Sequence, residues 1–114
     1  MTLPRALRCA AQAAREKKAQ DLVALDLRQS GTFTDHFLLI SGTNQRQLVA
    51  IVDAVSQALR ELGLRPHHVE GYPQRDWILL DYGALVVHVF TPRVRDYYGL
   101  DRLWGQAPRQ ELGS

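Results

Sequence analysis

Glu70-Gly71-Tyr72-Pro73-Gln74-Arg75-Asp76-Trp77-Ile78-Leu79-Leu80-Asp81-Tyr82-Gly83-Ala84-Leu85-Val86-Val87-His88-Val89-Phe90 is the stretch on which the reading of this chain turns. Trp77 to Tyr82 and Leu85 to Thr91 read as two strands, rich in β-branched, aliphatic and aromatic residues, with Gly83-Ala84 as the tight turn between them. Successive strand side chains point to opposite faces. Trp77, Leu79 and Asp81 therefore share one face, and Ile78, Leu80 and Tyr82 the other. The aliphatic pair Ile78 and Leu80 suits a layer of helices, which turns Trp77 and Leu79 outward. The competing orientation buries Trp77 in the core. Tryptophan is a common anchor at protein interfaces, so the outward orientation makes this strand pair a contact surface, with Asp81 at its rim and Tyr82 unresolved at the turn.

Upstream, residues 3–19 read as an alanine-rich helix with a thin apolar stripe. Asp21 to Leu27 reads as a strand, and His36 to Ser41 as a second. Leu48, Val52, Val55, Leu59 and Leu62 alternate at spacings of four and three, the signature of a long amphipathic helix. Thr43 is a plausible N-cap and Gly63 a C-terminal stop. Pro66 to Val69 gives a short third strand. Downstream, Val94, Tyr97, Tyr98, Leu100, Leu103 and Trp104 form a last apolar cluster, read as a helical turn against the body. The expected architecture is a single two-layer α/β domain over residues 1–108. Its five-stranded mixed sheet carries helices mainly on one face and leaves the other partly open. Residues 109–114 read as a short flexible tail.

Composition bounds the function. One domain of 114 residues with a net charge of +2 is expected. The twelve arginines are scattered among aspartates and form no dense RNA-binding groove. Apolar runs fall short of the ~20 residues needed to cross a bilayer. Arg5, Arg8 and Arg15 interrupt any secretory apolar region. A single cysteine, Cys9, excludes an internal disulfide and reads as a structural thiol. The expected compartment is the cytoplasm.

The residue types needed for catalysis are not brought together. No two acidic residues are separated by one position, the spacing that projects paired carboxylates from one strand. A site assembled from Asp26, Asp35 and Asp81 is the alternative, and would make the chain a metal-dependent nucleotidyl-transfer enzyme. His36, His67, His68 and His88 match no zinc spacing. His88 reads as a packed or interface histidine, a general base being the other possibility. Ser41-Gly42-Thr43-Asn44 ends a strand before a helix, a geometry that serves anion binding or simple capping. Tyr72, Tyr97 and Tyr98 either extend the surface around Trp77 or pack the C-terminal segment. No cofactor or metal is expected.

Seven segments in order resemble the ribosomal silencing factor family, also called the Iojap-like family, over about residues 5–108. They are Asp26-Leu27; Phe33-Thr34-Asp35-His36-Phe37; Ser41-Gly42-Thr43-Asn44-Gln45-Arg46-Gln47; Val69-Glu70-Gly71; Trp77-Ile78-Leu79-Leu80-Asp81-Tyr82-Gly83; Val87-His88-Val89-Phe90; and Tyr97-Tyr98-Gly99-Leu100-Asp101-Arg102-Leu103-Trp104-Gly105. The resemblance implies a non-enzymatic translational repressor with a nucleotidyltransferase-like fold that lacks the catalytic carboxylates. It implies binding to the large ribosomal subunit through its fourteenth protein, which blocks joining of the small subunit. A minor contact with ribosomal RNA and a homodimer are further expectations; a homodimeric scaffold without a ribosomal role is another alternative. Carried over by motif, Trp77, Leu79, Asp81 and Tyr82 are the partner-binding residues. Asp35, Glu70, His88 and Tyr98 are further assignments, partner-binding or structural.

Overall fold

The computed structural model describes residues 2–71 and 76–113. The elements run α1 (Arg5–Glu16), β1 (Gln20–Asp26), β2 (His36–Ser41), α2 (Gln45–Arg60), β3 (His68–Glu70), β4 (Trp77–Asp81), β5 (Leu85–Phe90), α3 (Pro92–Tyr98), α4 (Leu100–Leu103) and β6 (Arg109–Glu111). The strands form one mixed sheet in the order β3-β4-β5-β2-β1-β6. Among the described residues only β2 and β5 pair in parallel; the other neighbours are antiparallel.

Both expectations about the sheet require correction. It has six strands rather than five, because Arg109–Glu111 pairs with Val23, Ala24 and Leu25. This short strand has no apolar alternation to announce it. It forms because β1 offers an open edge and Leu112, half-buried against the main core, holds the end of the chain there through its amide to the Leu22 carbonyl. The resulting mixed six-stranded sheet, with one parallel pair and an added edge at β6, shows no nucleotidyltransferase-like arrangement.

The main core lies between the sheet and the two long helices. Ile78, Leu80, Val87, Val89, Leu38 and Ile40 face Leu48, Ile51, Val55 and Leu59 of α2 and Leu7 of α1. Ala10, Ala11 and Ala14 are buried too, so α1 approaches its neighbours closely. Each aliphatic side chain buried here contributes roughly 1.5–3 kcal/mol. The cap of α2 is Asn44 rather than Thr43: the Gln47 amide donates to Asn44 Oδ1 at 2.9 Å. Gln47 Oε1 in turn accepts from the Thr43 amide at 2.6 Å, a reciprocal cap. These contacts use the Thr43 and Gln47 amides that an anion would need. Gly42 is needed there because a Cβ would run into Leu48 and Ile51.

A second, smaller core covers part of the opposite face. Val23, Leu25, Leu27, Leu39 and Phe90 pack beneath Val94, Leu100, Trp104 and Ala107 from the C-terminal segment. Arg95 ties this cover down. Its guanidinium pairs with Asp101 at 3.0 Å and donates to the Asp21 carbonyl at 2.6 Å and Ser41 Oγ at 2.9 Å. Asp21 sits at φ 51, where β1 changes register, so Arg95 supports a strained bulge as well.

Arg95 is buried while the Arg102–Asp96 pair is exposed. Arg95→Ala is therefore expected to cost about 3 kcal/mol, because it leaves the bulge carbonyl unpaired and Asp101 with only the more distant Arg109, at 4.0 Å. Arg102→Ala should cost under about 1 kcal/mol. Urea denaturation of both variants measures the difference.

Candidate docking face

The face of β4 turned away from the long helices is built in rows across the sheet. Antiparallel register sets Glu70 opposite Leu79, and Leu79 opposite His88. Leu39 and Val23 continue that row. Burial increases along it: Glu70 is exposed, Leu79 half-buried, and His88, Leu39 and Val23 buried. The cause is the C-terminal cover, which lies over β1, β2 and β5, meets β4 at Trp77 through Tyr98, and leaves Leu79 half-open. An apolar strip is thus left half-open where the cover ends.

Two shallow grooves meet at Leu79. One, of about 440 Å³, is lined by Glu70, Gly71, Trp77, Leu79 and Tyr98. The other, of about 250 Å³, runs from Leu79 past Asp81, Phe37, His88 and Trp104 to Phe33. Phe33 is 93% exposed and Tyr98 53%. Apolar surface of this kind, rimmed by Glu70 and Asp81, is the form of a protein-contact site. Gly71, at φ 74, shapes the rim; a Cβ there would run into the Trp77 carbonyl.

Trp77 points outward as its parity requires, yet it is not free. Its ring lies 4.6 Å from that of Tyr98 and 5.8 Å from that of Phe90. Its indole nitrogen donates to His88 Nδ1 at 3.2 Å. Both orientations weighed from sequence thus hold a part of the answer: Trp77 faces away from the helices but belongs to the smaller core. Asp81 lines the second groove while its Oδ1 accepts from the Gly83 amide at 2.8 Å, fixing the hairpin turn. Glu70 pairs with His68 at 2.8 Å on the exposed edge strand.

Tyr82 does not join this face. It packs against the main core on the helix side, its hydroxyl buried near Ser56 without a hydrogen bond of good geometry. Burial raises its pKa. Asp35 is exposed just ahead of β2 and lines neither groove. Tyr72 lies outside the described residues. Sequence reasoning missed Phe33, Phe37 and Trp104 as groove residues. Phe37 shares its face of β2 with Leu39, and that parity was the available signal.

The three aspartates of the enzymatic alternative have separate duties. Asp26 is bound by Arg28 at 2.7 Å, which holds its carboxyl down to about 2. Asp81 caps its turn and Asp35 faces solvent. Among the described residues no three His, Cys, Asp or Glu side chains are placed to hold a metal. Cys9 is half-buried against the main core. Among the same residues, no helix is long and apolar enough to cross a membrane.

A family model described as ribosomal silencing factor during starvation matches residues 1–114. The chain is 40% identical over 106 residues to the ribosomal silencing factor of Halalkalibacterium halodurans, spanning 93% of this chain and 91% of that protein. Identity to the ribosomal silencing factor of Bacillus subtilis is 38%, over 93% of this chain and 90% of that one. A crystal structure of a Chromobacterium violaceum protein matches the fold with a TM-score of 0.85 at 32% identity, covering 92% of this chain and 88% of that one.

His88 gives this face a pH signature. It is 4% exposed, and burial pushes its pKa down to about 4. Unfolding returns it to about 6.5. Stability from the neutral imidazole is complete above pH 6.5 and is lost as pH falls toward 4, about 3 kcal/mol in all. His88→Asn should flatten that slope. Chemical denaturation between pH 7.5 and 4.5 measures it, and equal slopes would refute the assignment.

Proposed function

The chain belongs to the ribosomal silencing factor family, and on that premise we propose that it represses translation by seating the open end of its outer sheet face on the large ribosomal subunit. Family members are non-catalytic translational repressors. The finer reading is that Trp77, Leu79 and Asp81 contact the fourteenth protein of that subunit, with Glu70 and Tyr98 at the margin. His88 acts from below, and Tyr82 lies on the other side of the sheet. The supporting observation is the half-open strip at Leu79, an apolar centre between two carboxylates.

The mechanism is steric. A body of 34 × 34 × 25 Å standing on a surface that the small subunit must meet keeps the subunits apart. Leu79 would supply the desolvated centre, and Glu70 and Asp81 would select a cationic partner and speed its approach. Scattered arginines give minor contacts with ribosomal RNA, and a homodimer formed through the same face would compete with docking. The site of action in this reading is the cytoplasm.

Sedimentation of purified subunits tests it. Native protein is expected to lower the fraction of joined ribosomes. Leu79→Asp should weaken large-subunit binding by at least tenfold, in line with about 2 kcal/mol for a central contact. Asp81→Arg should weaken it as well, with its fold checked by circular dichroism because Asp81 also caps the turn. Unchanged subunit joining in the presence of native protein would contradict the reading.

A further inference from the structure

We infer that His88 is the positioning residue of the docking face: its Nδ1 accepts the Trp77 indole proton and so fixes the ring that walls the groove beside Leu79. The inference rests on the docking reading and adds a specific device to it. With Nδ1 accepting at 3.2 Å, the neutral imidazole carries its own proton on Nε2. That nitrogen is buried and has no hydrogen-bond partner among the described residues. Unsatisfied buried polar groups are destabilising, and Phe90, two residues on along the same face, shows that an apolar ring fits this layer. Packing alone does not call for an imidazole here.

What an imidazole offers and a phenyl ring does not is the Nδ1 lone pair, and Trp77 uses it. The indole sits in a half-open place where water would otherwise take its N–H. Turned toward water, the ring would leave Tyr98, 4.6 Å away, and the groove would lose one wall. His88 is in turn flanked on the same face by Phe37, edge-on at 4.5 Å. The chain of contacts Phe37, His88, Trp77 and Tyr98 therefore prepares the surface before any partner arrives, and such preorganisation lowers the cost of binding.

Imidazole nitrogen shifts by NMR, hydrogen exchange of the Trp77 indole and affinity for purified large subunits test the device together. Native protein is expected to show His88 protonated on Nε2 and a slowly exchanging indole proton. His88→Phe, which removes the acceptor, should speed that exchange and weaken subunit binding on the order of tenfold. His88→Asn, whose Oδ1 stands near the lost Nδ1, should restore both toward native. A purely structural role would not separate Asn from Phe in this direction. His88 protonated on Nδ1 in the native protein overturns the inference, and this test stands even if the phenylalanine variant does not fold. So does a folded His88→Phe that keeps native exchange and affinity. Native protein with the expected tautomer and indole but no affinity for large subunits refutes the docking reading instead.

Discussion

The alternation of side chains along β4 is the constraint from which the rest of the molecule follows. Ile78 and Leu80 must enter the core beneath α2, so Trp77, Leu79 and Asp81 must emerge on the other side. Two long helices cover one face of the sheet. The C-terminal segment covers β1, β2 and β5 on the other face and meets β4 at Trp77, through Tyr98. The half-open strip at Leu79 is the part of that face the cover leaves open. A shift of one residue in register would exchange the two faces and bury Asp81 in the helix layer, so the fold and the proposed docking face are set by the same pairing.

The surface is also braced from within. Asp81 both borders the groove and ties down the Gly83 turn. Trp77 is at once a wall of the groove and part of the smaller core, resting on Phe90, Tyr98 and His88. Arg95 fastens the cover that defines where the groove ends. Residues of this kind do not divide into structural and functional sets. In the proposed docking their substitution would lower stability and binding together, which makes Leu79, half-open and outside the turn, the cleaner probe of contact.

Periodicity makes much of this legible in the sequence. The spacing of Leu48, Val52, Val55 and Leu59 fixed the buried face of α2, and the parity of β4 fixed which side Trp77 takes. Three features were hidden for physical reasons. β6 is polar throughout and exists only because β1 has an edge to pair with. The cover by Trp104 and Leu100 depends on contacts far apart in sequence, which no local pattern reports. Thr43 and Asn44 are both good caps, and only the path of the chain decides that Asn44 takes the role. The resemblance to the family carried the identity correctly while its nucleotidyltransferase-like expectation did not describe the sheet.

Site-directed photo-cross-linking probes the central claim most directly. A photoreactive phenylalanine analogue at Phe33, on the rim of the docking face, should cross-link to one protein of the large subunit, and the same group at Asp53, exposed on α2 behind the sheet, should not. Cross-links from Asp53 without any from Phe33 would mean that the protein docks through its helices, and would contradict the account.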